Sequence, residues 1–255
     1  MEQKNANVSP SPFTRSSRYI LVVEGNNSEL FYTAMLLQRF SYPVCTARTA
    51  GAALDMVSVA VPALVITDKI LPGQSGIDLV RMLGSTIRTF SVPIILLLPP
   101  GETGPRKLDF EGHGALCLPK PLNLEYLYRT VQEVMEPHPR TNIRIQTELQ
   151  VTVNKVALDR EKGECVTRLS AHGMYIRTLE PFNPHDQVSV AIEIKGRPIT
   201  ADATVLYNRR FDNKPFMDQG MAVKFIRMRG EDRQVLSQFI REEVTRGIIV
   251  EHEQV

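Results

Sequence analysis

The residue types that could bind a ligand are concentrated between positions 140 and 173. Arg140 and Arg144 stand four residues apart, just ahead of a predicted strand, and Arg168, Ser170 and Gly173 stand at the edge of the next strand. A guanidinium group binds phosphate and the O6/N7 edge of guanine through paired hydrogen bonds, and a glycine lets a ligand approach the backbone closely. These residues predict a site for a phosphate ligand that contains guanine.

A second group of polar residues follows three apolar runs in the N-terminal half. Glu24 follows the run at 19–23, Asp68 follows the run at 63–67, and Lys120 follows a third run. In an open α/β sheet, ligands bind beyond the carboxyl ends of the strands. A carboxylate in that place can accept a phosphoryl group or hold a hard cation, and a lysine can pair with either anion. The three residues therefore predict a second site.

Composition and charge exclude several classes of protein. The 255 residues carry a formal net charge of +2 at pH 7, which gives no support for bulk electrostatic binding to DNA or to acidic membranes. Cys45, Cys117 and Cys165 are widely spaced, which indicates lone thiols in a reducing compartment. The start of the chain has no apolar signal region, and the longest apolar run, 92–98, is too short to span a bilayer. We expect a cytoplasmic protein without membrane insertion.

The elements of the N-terminal half alternate between strand and helix. Continuous apolar runs are typical of strands buried on both faces, and the segments between them have helical spacing. Pro105 and several glycines interrupt residues 99–114, so a helix there is expected to be short, distorted or loop-like. The alternation predicts an α/β doubly wound parallel five-stranded sheet. The predicted strands are 19–23, 42–46, 63–67, 92–98 and 115–118, and the predicted helices are 28–40, 49–60, 75–83 and 123–135.

The pattern changes after the Pro-rich break at 136–139. Six short runs with period-two or β-branched character follow, separated by turn signals that include Asp212-Asn213, and an amphipathic segment ends the chain. This predicts a mostly-β six-stranded antiparallel barrel with a C-terminal helix at 231–246. The predicted strands are 146–153, 164–169, 174–178, 187–194, 199–208 and 221–228. The predicted organisation is a flexible tail (1–17), an α/β domain (18–136), a linker (137–140), a barrel domain (141–248) and a second tail (249–255).

The N-terminal half resembles a response-regulator receiver domain. The resemblance rests on the run at 20–23, on Asp68 followed by Pro72-Gly73 and then Gly76, and on Lys120-Pro121. It implies phosphorylation of Asp68 by a histidine kinase, with magnesium held by Asp68 and an acidic pair.

Three positions depart from the receiver pattern. The acidic pair is Glu24-Gly25, Leu98 replaces the hydroxyl residue after the fourth strand, and Cys117 replaces the aromatic residue of the fifth strand. With fewer carboxylates, magnesium binding by Glu24 and Asp68 is weakened. Two alternatives therefore stay open: Asp68 and Lys120 pair only with each other, or the domain is a phosphate-independent interaction module, such as a homodimer surface.

The C-terminal half resembles a PilZ domain, a bacterial family of cyclic di-GMP receptors. Arg140 and Arg144 match its Arg-x-x-x-Arg motif, and Ser170 and Gly173 match the last two positions of its Asp/Asn-x-Ser-x-x-Gly motif. Arg168 stands where the family has Asp or Asn. Arginine has five hydrogen-bond donors and no acceptor, so the loss of a guanine contact there is expected to cost about 1–3 kcal/mol.

These observations predict a bacterial, cytoplasmic signalling protein that is not an enzyme and does not bind DNA. The resemblances imply that it binds cyclic di-GMP through Arg140, Arg144, Arg168, Ser170 and Gly173 and passes this state to a protein partner. One alternative is a scaffold or adaptor whose two domains have lost ligand binding and phosphorylation. A second alternative is a response regulator that is switched by a histidine kinase.

Overall fold

The computed structural model describes residues 19–110, 113–210 and 219–248. These residues form two compact units, of which one contains residues 140–247 and the other contains the described residues before Arg140. The predicted tails at 1–17 and 249–255 and the predicted turn at Asp212-Asn213 lie outside the described residues. The elements of the first unit are β1 (Ile20–Val23), α1 (Asn27–Arg39), β2 (Val44–Ala47), α2 (Ala50–Val59), β3 (Leu64–Asp68), α3 (Gly76–Gly84), β4 (Ile94–Leu98), β5 (Lys107–Phe110), β6 (His113–Pro119) and α4 (Leu124–Met135).

The first unit is a doubly wound α/β domain, as predicted. Its strand order is β2-β1-β3-β4-β6-β5, and every neighbouring pair from β2 to β6 is parallel. All residues of β1, β3 and β4 are buried, which agrees with their continuous apolar sequences. Side chains cap the helices at their first turns: Asn26 accepts backbone N–H groups of α1, and Ser75 forms a reciprocal capping box with Asp78.

The sheet has six strands, whereas five were predicted. The additional strand is β5, which pairs antiparallel with β6 at the edge of the sheet. It lies in the segment where Pro105 and the glycines disfavour a helix, and its residues alternate between exposed and half-buried. The predicted distortion of this segment therefore takes the form of an edge strand.

The second unit is an antiparallel sheet of eight strands with a C-terminal helix. Its strand order is β7-β10-β11-β14-β13-β12-β8-β9. The prediction of a mostly-β domain with a final helix is confirmed, but the predicted count of six strands is too low. The elements are β7 (Ile145–Leu149), β8 (Val151–Val153), β9 (Val156–Ala157), β10 (Cys165–Ser170), β11 (Gly173–Arg177), β12 (Gln187–Ile194), β13 (Arg197–Arg209), β14 (Gly220–Met228) and α5 (Gly230–Thr245).

The two additional strands are β9, at 156–157, and a strand that arises from a break at Gln150. The apolar alternation continues through this residue, which is why 146–153 was predicted as one strand, but the backbone divides there into β7 and β8. These two strands are consecutive in sequence and yet lie near opposite ends of the strand order. The sheet must therefore curl until its two ends approach each other at Gln150.

Helix α5 packs its apolar face against this sheet, where it contacts β7, β10, β12 and β13. Leu236, Ile240 and Val244 are buried along that face. Asp232 is also fully buried, and it accepts hydrogen bonds from Arg197 at 3.1 Å and from Arg229 at 2.9 Å. Burial alone would raise the pKa of Asp232, but these two guanidinium groups outweigh it and hold the pKa below its ordinary value.

Candidate functional site

The carboxyl ends of three strands of the first domain bring Glu24, Asp68 and Lys120 together. Glu24 follows β1, Asp68 ends β3 and Lys120 follows β6, and these strand ends lie at the same edge of the sheet because the strands are parallel. The Nζ atom of Lys120 donates to Glu24 Oε2 at 2.7 Å and to Asp68 Oδ2 at 2.9 Å. Glu24, Asp68 and Lys120 are all buried or nearly so.

A third carboxylate, from Glu29, joins this cluster and was not among the predicted site residues. Glu29 lies in the first turn of α1, where a negative side chain is favoured by the helix dipole, and Lys120 Nζ also donates to it. Its side chain is 42% exposed, in contrast to 2% for Glu24. The only sequence signal was an acidic residue three places after the cap Asn26, which is common in helices without any such site.

Burial and pairing shift the titration of this cluster. Burial raises the pKa of Glu24 from 4.5 to about 7, and a hydrogen bond with Asp68 adds to the rise, while Lys120 opposes it. Burial alone would lower the pKa of Lys120, but its hydrogen bonds to the carboxylates outweigh this and raise it. Lys120 therefore stays charged at neutral pH, whereas Glu24 is close to its titration midpoint.

Apolar packing surrounds the three positions that depart from the receiver pattern, Gly25, Leu98 and Cys117. A Cβ atom at Gly25 would lie 2.7 Å from Pro72 Cδ, so an aspartate at this position would require Pro72 to move. Leu98 is 2% exposed and belongs to the apolar core, and Cys117 is buried in the same core. A depression of about 480 Å³ lies over the cluster, and its walls include Pro72 and both prolines that follow β4.

The donor set of the cluster suits a hard cation, but its arrangement serves Lys120. One oxygen from each of Glu24, Glu29 and Asp68 lies within 4.8 Å of the others, and carboxylate oxygens are the ligands that magnesium and calcium prefer. Each of these carboxylates also accepts a hydrogen bond from the Lys120 ammonium group. A divalent cation that used the same oxygens would have to displace that group, so as arranged the cluster does not fit magnesium.

In the second domain, strand register brings Arg144 next to Ser170. Leu169 of β10 pairs with Ile145 of β7, so the residue before Ile145 lies opposite the residue after Leu169. Arg168 is exposed on β10 and pairs with Gln146. Both Arg140 and Arg144 precede β7 and have exposed side chains.

Ser170 and Gly173 form the turn between β10 and β11. The Ser170 hydroxyl donates to the Gly173 carbonyl at 3.1 Å and accepts from the His172 N–H at 3.4 Å, so it holds the turn closed. A Cβ atom at Gly173 would lie 2.3 Å from the carbonyl oxygen of Val223 on the neighbouring strand. The close approach of β14 is thus sufficient to require glycine at this position, whereas the sequence predicted that a ligand approaches the backbone there.

A depression of about 430 Å³ lies beside Arg168, at the point where Thr167 forms a bulge in β10. Arg177 also lines it, and was not predicted. The Arg177 guanidinium donates to the Gly163 carbonyl at 2.6 Å and to Cys165 Sγ at 3.4 Å, which fixes its position. The lining residues are Gln146, Thr147, Glu148, Thr167, Arg168 and Arg177, so of the five predicted ligand residues only Arg168 is among them.

Comparison with known proteins finds matches for both domains. Residues 138–242 match the PilZ domain family. The N-terminal half is similar to protein PilH of Pseudomonas aeruginosa, with 22% identity over 116 residues that cover 46% of this chain and 96% of PilH. It is also similar to the phosphate regulon transcriptional regulatory protein PhoB of Escherichia coli, with 26% identity over 119 residues that cover 47% of this chain and 52% of PhoB.

Among solved structures, the chemotaxis response regulator CheY4 of Vibrio cholerae matches 47% of this chain and 99% of its own, with 29% identity and a TM-score of 0.43. The sequence matches and the strand order of the sheet are the evidence that the first domain is receiver-like. Within residues 19–110, 113–210 and 219–248, no helix has the length and apolar character needed to cross a membrane.

Proposed function

We propose that this chain, a PilZ domain protein whose N-terminal half is a receiver-like domain, is a bacterial signalling protein that binds cyclic di-GMP. Both domains belong to regulatory rather than catalytic families. In this proposal the second domain takes up the nucleotide and passes its bound state to a protein partner. The first domain serves as a regulatory or interaction module, and the protein acts in the cytoplasm.

The observation that carries the proposal is the position of Arg144 beside Ser170 at the β7–β10 edge. Arg168 lies two residues away on β10, so two exposed guanidinium groups flank a hydroxyl-closed turn. A doubly charged cyclic dinucleotide offers phosphates to such groups, and guanine offers the O6/N7 edge. Arg140, which lies four residues earlier, supplies a third guanidinium group in the proposed site.

Arg168 sets the expected affinity. At this position an Asp or Asn would accept hydrogen bonds from the donor edge of guanine, and arginine offers no acceptor. The loss is worth about 1–3 kcal/mol, or roughly 5- to 150-fold in dissociation constant. Arg168→Asn should therefore tighten binding by a factor in that range, whereas a purely electrostatic site would lose affinity when this positive charge is removed.

Calorimetric titration with cyclic di-GMP tests the proposal. We expect the unmodified protein to release or absorb heat on binding, and Arg144→Ala to raise the dissociation constant at least tenfold. Arg160→Ala, which replaces an exposed arginine elsewhere in the same domain, should leave the dissociation constant unchanged. The absence of heat at tens of micromolar ligand would reject nucleotide sensing. It would favour a scaffold or adaptor that has lost its ligand.

For the first domain, the shared Lys120 favours an interaction module over a phosphorylation switch. Three carboxylates already accept from its ammonium group, and Leu98 offers no hydroxyl to a phosphoryl oxygen. The competing hypothesis is that a histidine kinase phosphorylates Asp68 with magnesium bound at Glu24 and Asp68. The position of Glu24, Asp68 and Lys120 at the carboxyl ends of three strands supports this hypothesis.

Addition of beryllofluoride with magnesium distinguishes the interaction module from the phosphorylation switch, because beryllofluoride mimics an aspartyl phosphate. We expect an unchanged amide NMR spectrum for the unmodified protein. A Glu29→Gln variant, in which one competitor for Lys120 loses its charge, is the matched second sample. Large shifts around Asp68 in the unmodified protein would establish the phosphorylation switch instead, and shifts only in the variant would identify Glu29 as the group that prevents it.

A further inference from the structure

A row of paired residues crosses the outer face of the second domain, and it starts at Arg168. Arg168 pairs with Tyr175 of β11, Tyr175 pairs with Ala222 of β14, and Ala222 pairs with Tyr207 of β13. Directly paired residues project from the same face of a sheet. Neighbouring strands lie about 5 Å apart. Tyr175 is therefore one strand away from Arg168 on β10, and Tyr207 is three strands, or about 14 Å, away from it.

The two tyrosine rings of this row lie close to each other. Their centroids are 6.4 Å apart with an angle of 40° between the ring planes, and Ala222 between them contributes only a methyl group. Tyr175 is 8% exposed, whereas Tyr207 is 43% exposed. The row therefore exposes one aromatic ring to solvent, next to a second ring that is buried.

A guanidinium group accompanies the rings. The Arg209 Cζ atom lies 5.6 Å from the Tyr207 ring centroid and 6.0 Å from that of Tyr175. Arg209 pairs with Gly220, which has no side chain, so the space beside the guanidinium group is not filled by its neighbour on β14. Ring faces stack on nucleobases whatever the base, and a guanidinium group adds a cation–π contact and donors for the O6/N7 edge of guanine.

We propose that Tyr207, with Tyr175 and Arg209, forms a stacking platform for a guanine base of the nucleotide. This inference rests on the proposed function, because the platform continues the row of Arg168 and would hold a base while the arginines hold phosphates. It also accounts for an exposed aromatic ring in mid-sheet, and it offers a contact that compensates for the missing acceptor at position 168.

Titration of ring variants with cyclic di-GMP tests the platform. Alanine replacement of a stacking aromatic ring weakens single-strand binding by about 5- to 150-fold, so Tyr207→Ala should fall in that range. Tyr207→Phe keeps the ring and should stay within about threefold of the unmodified protein. Phe31→Ala removes an exposed aromatic ring of the first domain, 51% exposed, and should have no effect.

The same titration series distinguishes failure of the platform from failure of nucleotide binding. If the unmodified protein binds, Arg144→Ala loses affinity and Tyr207→Ala does not, the platform is wrong and the proposed function stands. A loss for Phe31→Ala as large as that for Tyr207→Ala would also overturn the platform. If the unmodified protein does not bind cyclic di-GMP, both proposals fall together. Thermal unfolding within about 2 °C of the unmodified protein confirms that each variant is folded.

Discussion

Replacement of Glu24 by glutamine should remove a pH dependence of stability from the first domain. The pKa of Glu24 is raised by burial from 4.5 to about 7, so between these values the folded protein binds up to one proton more than the unfolded chain. Stability then falls as pH rises, because the unfolded state binds fewer protons than the folded state. The total change corresponds to about 3 kcal/mol, and it is complete above pH 7.

The assay compares unfolding free energies of the unmodified protein and Glu24→Gln at several values between pH 4.5 and pH 8. Urea unfolding followed through amide NMR signals of β3 reports on this domain alone. We expect the unmodified protein to lose about 3 kcal/mol relative to the variant over this range, since glutamine cannot titrate. Glu133→Gln is the control, because this carboxylate is half exposed in its pair with Arg106 and should give a profile parallel to the unmodified protein.

Two results would refute the reasoning. Parallel stability profiles for the unmodified protein and Glu24→Gln would mean that the carboxylate does not take up a proton on folding. A ¹³C NMR titration of the Glu24 carboxyl group with a midpoint near 4.5 would show the same directly. Either result would mean that Lys120 stabilises the charged form about as strongly as burial destabilises it.

Further substitutions test the packing of each domain. Gly76→Ala should destabilise the first domain by about 1–3 kcal/mol or more in thermal unfolding, because its Cβ would lie 1.9 Å from the Asp68 carbonyl oxygen. Gly51→Ala, with nothing within 4 Å, should instead stabilise α2 by at most about 1 kcal/mol, and equal effects would contradict this account. Asp232→Asn should destabilise the second domain by about 1–3 kcal/mol at pH 7 and by less at pH 3, where stability from a carboxylate of lowered pKa is already being lost. Glu231→Gln, whose side chain is 85% exposed, should change unfolding by under about 0.5 kcal/mol at either pH.

Local signals in the sequence were sufficient for most of the first domain. Continuous apolar runs are produced by strands that are buried on both faces, and Asn123 caps α4 at the residue where the predicted helix begins. The meeting of Glu24, Asp68 and Lys120 follows from the topology of a parallel sheet alone. Glu29 could not be found in the same way, because its approach depends on the direction in which α1 leaves β1.

In the second domain, the missed features depend on pairing between distant parts of the chain. The break at Gln150 is invisible to periodicity, since alternation continues while the strand changes its partner. Tyr175 and Tyr207 are 32 positions apart and meet only across Ala222 of a third strand. By contrast, Arg144 and Ser170 were predicted to belong to one ligand site because of the motifs they match, and the register of β7 and β10 brings them close together.

The burial of Lys120 has a practical consequence for measurements of domain opening. Its side chain is 8% exposed, and its raised pKa leaves little neutral amine at physiological pH. Acylating reagents attack only the neutral, accessible amine, so they should modify Lys120 slowly and chiefly during excursions that separate it from its carboxylates. The rate of acylation at this one position, read by mass spectrometry, would then report how often those excursions occur.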